Sequence, residues 1–173
     1  VIFNSGTSNL TNPVTIHGVS NWSGGALTGD ALSIATNGVL NLTGNSGKYI
    51  ENTLTNFGTV NWLDGYVYPR NDNSRWFGAI ENMAGGVWNI QCSQQLYNDY
   101  GGPGYFHNAG AVQKTAGTGT TAMNVLFNNA GLVAAETGTI NFNGGGTIES
   151  DYTAAAGTAI YFSYGWFNYN GTP

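Results

Sequence analysis

Gly138-Thr139-Ile140-Asn141-Phe142-Asn143-Gly144-Gly145 sets an apolar residue, an asparagine and a second apolar residue between glycines, and the same order recurs along the chain. Close copies are Gly38-Val39-Leu40-Asn41-Leu42-Thr43-Gly44, Gly58-Thr59-Val60-Asn61-Trp62-Leu63-Asp64-Gly65 and Gly86-Val87-Trp88-Asn89-Ile90. Looser ones surround Asn21, Gln113 and Tyr161. With Asn21, Asn41, Asn61, Asn89, Gln113, Asn141 and Tyr161 as the central positions, successive copies lie 20 to 28 residues apart. A recurring period of this length is the mark of a repeat architecture.

The alternation has period two, so in a strand Val60 and Trp62 share one face and Asn61 takes the other. The flanking glycines end the strand. A period of about 20 residues accommodates roughly three short strands joined by tight turns, which is one coil of a β-solenoid. Helical repeats and propeller blades need longer periods. The reading is therefore an all-β, single-stranded parallel β-helix of about seven coils forming one domain over residues 1–173. Stacking sets like on like, so apolar positions form an inner ladder, and Asn and Thr form outer or turn ladders whose amides hydrogen-bond along the stack.

Composition narrows the function. The 173 residues are 41% hydrophobic and 13% aromatic but only 8% charged, with four Lys plus Arg against nine Asp plus Glu and a net charge of −5. No basic cluster exists to neutralise phosphates, which argues against a nucleic-acid partner. Cys92 is the lone cysteine, so no intrachain disulfide forms, and it reads as a small core residue. No apolar run is long enough for a membrane span. A start at Val1 instead of Met points to removal of a leader or to an excised piece of a larger protein.

Taken in order, residues 1–16 read as a partial first coil, followed by three compact coils to about Tyr68. Two loop excursions interrupt the pattern, at 68–75, which carries Arg70 and Arg75, and at 94–104. The second holds Gln94, Gln95, Tyr97, Asp99 and Tyr100 ahead of a Gly-Pro-Gly turn, and is the candidate ligand loop. Tyr105-Phe106-His107-Asn108-Ala109-Gly110 is echoed by Leu126-Phe127-Asn128-Asn129-Ala130-Gly131, which defines a second strand type. Glu51 and Glu81, each after Ile and before Asn, are expected at equivalent outward positions of that type. Residues 157–170 form an aromatic last coil.

Catalysis has little to work with. Lys48, Lys114, Arg70 and Arg75 are the only basic side chains besides two isolated histidines, His17 and His107. Glu149 and Asp151 are the one local carboxylate pair and read as a solvated strand edge; a glycoside-cleaving enzyme would gather Glu149, Asp151 or Asp64 in one groove. No enzyme activity and no cofactor or metal site is expected.

Phe127-Asn128-Asn129-Ala130-Gly131-Leu132-Val133 and the opening stretch resemble the degenerate repeats of bacterial autotransporter passengers and filamentous adhesins. That resemblance implies a right-handed parallel β-helix, secretion, and a structural or adhesive role at the cell surface.

A solenoid has two open ends, each an edge that templates further pairing unless capped. Val1, Ile2 and Phe3 at one end, and Tyr161, Tyr164, Trp166, Phe167 and Tyr169 at the other, are apolar or aromatic and uncharged. Matching heterologous ends stack head to tail into an open filament. The leading expectation is a secreted, extracellular subunit whose partner is itself, each copy adding about 34 Å for seven coils. The alternative is a fragment of a surface adhesin that binds a glycan or a cell surface.

Overall fold

Residues 2–169, described by a computed structural model, wind into eight coils of parallel β-structure with no helix among them. Val1 lies outside the described residues. Each full coil presents three faces. The first face stacks β2 (Thr7–Leu10), β4 (Gly25–Gly29), β6 (Lys48–Ile50), β9 (Val67–Pro69), β12 (Gln95–Tyr97), β15 (Thr120–Asn124), β18 (Thr139–Phe142) and β21 (Ala159–Phe162). The second begins with the leading halves of β3 (Val14–Trp22) and β5 (Leu32–Leu42). It continues through β7 (Thr53–Asn56), β10 (Ala79–Asn82), β13 (Tyr105–Asn108), β16 (Leu126–Asn129), β19 (Gly146–Ile148) and β22 (Phe167–Tyr169). The third takes β1 (Ile2–Phe3), the trailing halves of β3 and β5, then β8 (Thr59–Trp62), β11 (Val87–Ile90), β14 (Ala111–Lys114), β17 (Leu132–Ala135) and β20 (Tyr152–Ala154).

The expected parallel β-solenoid is thus present, with eight coils against about seven. Strand alternation sends every second residue inward, and register stacks the inward residues into columns. Phe3, Trp22, Leu42, Trp62 and Ile90 form one column on the third face, and Val67, Leu96, Met123 and Phe142 form one on the first. All nine side chains are buried in a single core. The outer asparagine ladder expected from the repeat also forms. Asn41 Nδ2 donates to Asn21 Oδ1 at 3.0 Å, Asn61 to Asn41 at 2.9 Å and Asn89 to Asn61 at 3.2 Å.

The phase of the repeat needs correction beyond Gln113. Gln113 stacks on Ala134, whereas Asn141 lies on the first face between Ala122 and Tyr161. A glycine-bounded apolar-Asn-apolar triplet suits any face that ends in a tight turn, so the same words recur on two faces. Glu51 and Glu81 are likewise not equivalent: Glu51 follows β6 on the first face, and Glu81 pairs with Thr55 and His107 on the second.

The second strand type is aligned as read, with Phe106 on Phe127 and Asn108 on Asn129. Its asparagines point inward. Asn56, Asn82, Asn108 and Asn129 make a fully buried ladder in which each Nδ2 donates to the next Oδ1 at 2.7 Å. The same amides also reach the carbonyls of Val87, Ala111 and Leu132, one coil ahead. Beside this ladder runs a column of glycines: a Cβ on Gly110 would strike the backbone carbonyl of Gly86, and one on Gly131 that of Gly110.

Replacing a member of the inner ladder orphans buried carbonyls and amides, so Asn108→Ala is expected to lower stability by about 1–3 kcal/mol. Asn41→Ala on the outer ladder should cost under about 1 kcal/mol. Urea midpoints of the two variants check this, and equal effects would contradict the account.

Candidate functional site

Three regions stand out, and the first is the end of the stack. Phe162 continues the inward column of Phe142, Phe167 continues Phe127 and Gly146, and Tyr169 lies over Ile148. Phe142 and Phe127 beneath them are fully buried and Ile148 is half-buried, yet Phe162 is 38% and Tyr169 59% exposed, since no further coil covers them among the described residues. Ile160, half-buried, completes this surface by following Ile140. Among the residues expected at this end, Tyr161 and Trp166 point sideways instead. Tyr161 stacks on the outward Asn141, and Trp166, which precedes the inward Phe167, is 92% exposed on the flank of the second face. Tyr164 is exposed in the turn between. Ile160 and Phe162 were missed by sequence reasoning, although the alternation about Asn141 marks their counterparts Ile140 and Phe142.

At the opposite end Ile2 is exposed and outward, while Phe3 is buried against Trp22, their rings 6.4 Å apart. Phe3 therefore belongs to the core as the first step of an inward column. Charge is sparse at both ends: no Lys, Arg, Asp or Glu precedes Asp30 or follows Asp151, and Asp151 alone adjoins an edge strand, β20. Edge strands are ordinarily guarded by charge, and neither set of edge strands here has it.

The second region joins the two loop excursions, which leave the same corner in successive coils. Arg70 is the hub. Its guanidinium meets Glu51 Oε1 at 3.1 Å and Asp99 Oδ2 at 3.0 Å, and lies 3.8 Å from the centre of the Tyr49 ring. Asn98 Nδ2 donates to the carbonyls of Asn71 and Gly102, and Trp76 packs on Tyr100 at 4.5 Å. Asp72 Oδ1 accepts the backbone N–H groups of Ser74, Arg75 and Trp76, which holds its carboxyl down to about 2. The candidate ligand-loop residues are thus each engaged by side chains from neighbouring coils. Gln94 Nε2 donates to Asp64, Gln95 Oε1 accepts from Asn124, and Tyr97 joins Tyr49, Tyr66 and Tyr68 in an aromatic row along the first face. Burial, then the hydrogen bond with Tyr97, raises the Tyr68 hydroxyl above its ordinary pKa. The arrangement is a brace between coils.

The third region is an open groove of about 440 Å³ on the outer side of the second face. Glu81, His107, Asn128 and Thr147 stack in register along the solenoid axis and line it, with Ala109 and Ala130 beside them. Glu81 Oε1 lies 3.3 Å from His107 Nδ1, and Thr147 Oγ1 donates to Asn128 Oδ1 at 3.4 Å. The Tyr105 ring stacks on His107 at 4.3 Å, and burial, reinforced by Glu81, raises its hydroxyl pKa. Glu149 also lines the groove; Asp151 does not, and Asp64 sits at another corner, bonded to Gln94. Three rungs separate Glu81 from Thr147, near Glu149, which at about 4.8 Å per rung exceeds the spacing of a carboxylate pair for glycoside cleavage. Among the described residues no three His, Cys, Asp or Glu side chains gather as metal ligands, and no helix is long and apolar enough to cross a membrane.

Sequence reasoning also missed that both lysines lie inside the coil. Lys48 donates to the carbonyls of Gly44 and Asp64 at 2.5 and 2.7 Å, and Lys114 to the Cys92 carbonyl and, at 3.0 Å, to Thr121 Oγ1. Burial lowers the pKa of Lys48 from 10.5 to about 8 and also lowers that of Lys114. Burial raises the neighbouring Cys92 thiol from 9.0 to about 11, leaving a buried, protonated sulfur.

No family model matches the chain, and no curated protein and no solved structure matches it.

Two predictions follow from these contacts. Arg70→Ala leaves Glu51 and Asp99 without their partner and frees both loops, so limited proteolysis should cut within residues 98–104 faster than in the wild type, and Arg70→Lys should not restore protection because one ammonium cannot reproduce the fork. For Lys48, the unfolded chain holds the proton to about 10.5 and the fold releases it near 8, so between these values the unfolded state binds more protons and stability rises with pH. Cys92 acts oppositely from 9.0 to about 11 and is common to both proteins when wild type is compared with Lys48→Met. Denaturation at a series of pH values should therefore show wild type gaining on Lys48→Met from about pH 8 upward, by up to about 1.4 kcal/mol per pH unit. A constant difference would remove the buried ammonium from the account.

Proposed function

We propose that the chain is a structural subunit whose coil stack is continued by a second copy, head to tail, in an extracellular filament. The observation that carries this reading is the uncovered inner surface of the last coil, Ile160, Phe162, Phe167 and Tyr169, set in columns that any further coil would extend. At the other end β2 and the leading half of β3 are the outermost strands of their faces, with Leu10, Val14 and Ile16 inward. Apposition would add main-chain hydrogen bonds along the edges and bury aromatic rings worth about 1.5–3 kcal/mol each, against the cost of association. With Asp151 the one charge beside an edge strand, the ends supply little repulsion, and the low overall charge fits a protein held in an assembly outside the cell.

Electron microscopy at rising protein concentration tests this. Filaments with an axial repeat of about 38 Å, from eight coils at about 4.8 Å, are expected. Phe162→Asp combined with Phe167→Asp should abolish them, while Tyr161→Asp, on the flank, should leave them. Single short rods at every concentration would overturn the proposal.

A second reading, a section of a surface adhesin, is favoured by the groove on the second face. It is open, with a lining that is mostly apolar around a row of polar side chains, and a ligand reaches it without disturbing the stack.

A further inference from the structure

The outer row of the second face sets a polar side chain on every rung from Thr55 to Asn168, whereas the third-face row passes to Ala134 and the first-face row includes Ala122. Thr55, Glu81, His107, Asn128, Thr147 and Asn168 follow in register, one per coil, giving hydrogen-bonding groups of both senses every 4.8 Å or so. The asparagine row on the third face bonds along itself from Asn21 to Asn89. In the second-face row Glu81 links to His107 and Thr147 to Asn128, and the groove opens beside them.

We infer that this row is a binding site for a linear, uncharged polysaccharide lying along the solenoid axis, with Glu81, His107, Asn128 and Thr147 contacting successive sugar units. The assignment rests on the lateral-binding reading and is independent of end-to-end stacking. The rung spacing is close to the length of one pyranose unit, so a polysaccharide chain lying along the axis meets a polar side chain of the row at about every unit. Tyr105, in the neighbouring outward column, is held face to face with His107, and Trp166 stands almost fully exposed on the same face beyond Thr147. The exposed Trp166 at the last rung suits the apolar face of a sugar ring, with the half-buried Tyr105 beside His107 and fixed polar groups setting orientation along the row. The alanines at 109 and 130 leave room for the chain to approach. Charge selects the class. Two carboxylates, Glu81 and Glu149, line the groove and the one basic group there, His107, already faces Glu81. An acidic polysaccharide would meet repulsion from these carboxylates, and the Asn128 amide and Thr147 hydroxyl beside them suit neutral hydroxyl groups.

The test is calorimetric titration of the purified chain with cellohexaose, mannohexaose, maltohexaose and, as the acidic comparison, hexagalacturonate. Binding of at least one neutral hexaose is expected, weakened tenfold or more in Asn128→Ala and in Trp166→Ala and unchanged in Gln113→Ala on the third face. These are outward positions, and circular dichroism of each variant confirms the fold. Amide chemical-shift changes on adding the bound hexaose should cluster at residues 107, 128 and 147. Binding that survives the groove variants, with shifts elsewhere, would overturn the groove assignment while keeping lateral glycan binding. Preference for hexagalacturonate would overturn the charge argument and with it the ligand class. No heat and no shift with any neutral hexaose would overturn both the groove and the lateral-binding reading.

Discussion

Everything in this fold depends on satisfying the backbone at the corners. Along each face the strands pair above and below, so their N–H and C=O groups are used. At a corner the chain turns out of the ladder, and its carbonyls face an interior where an unpaired polar group costs about 1–3 kcal/mol. Each of the three corners answers this differently. Between the second and third faces, the buried asparagine ladder donates to carbonyls one coil ahead. Between the third and first faces, donors come from within the core: Trp22 reaches the Gly24 carbonyl at 2.9 Å, Trp62 that of Gly65 at 2.7 Å, and Lys48 and Lys114 serve Gly44, Asp64 and Cys92. Between the first and second faces, the corner opens into loops in two coils, where Asn98 donates to the carbonyls of Asn71 and Gly102.

This explains why two lysines are spent on the interior of a protein with only four basic residues. An ammonium offers three donors on a long apolar stem, and at the third corner several carbonyls converge where a tryptophan indole has only one to give. Desolvation opposes the arrangement, and the depressed Lys48 pKa measures that opposition. The remaining core is largely apolar, and its rings meet both along a column, Phe106 on Phe127 at 5.3 Å, and across faces, Trp88 on Phe106 at 5.2 Å and Phe127 on Phe142 at 4.4 Å.

The period, the outer asparagine ladder and the second strand type were legible because each repeats a chemical word at the spacing of a coil. Phase was not. Asn141 and Tyr161 speak the same word as Asn61 on another face, since all three faces end in glycine turns, and Ile50-Glu51-Asn52 matches Ile80-Glu81-Asn82 in letters but not in position. The burial of Lys48 and Lys114 escaped because their partners are backbone carbonyls of the coil corners, which no side-chain pattern announces. The gathering of Arg70, Glu51 and Asp99 escaped for a related cause: the three come from different coils and meet only because both excursions leave the same corner.

Alternation also decides which surfaces can act independently. Phe167 and Trp166 are adjacent in sequence, yet one extends a core column along the axis and the other leaves the flank of the second face. The same holds for Phe162 and Tyr161. A coil added at the end would bury the first of each pair and leave the second in solvent, because its outward column is already clear of the axis. Stacking copies would therefore not consume the lateral row but lengthen it, setting each copy's outer face beside the next at the same rung spacing. A row too short to hold a long polymer on one subunit would become a continuous track on a filament, and many weak contacts in line would act together. Axial assembly and lateral binding are in this sense made compatible by a single property of the β-strand, that consecutive side chains face opposite ways.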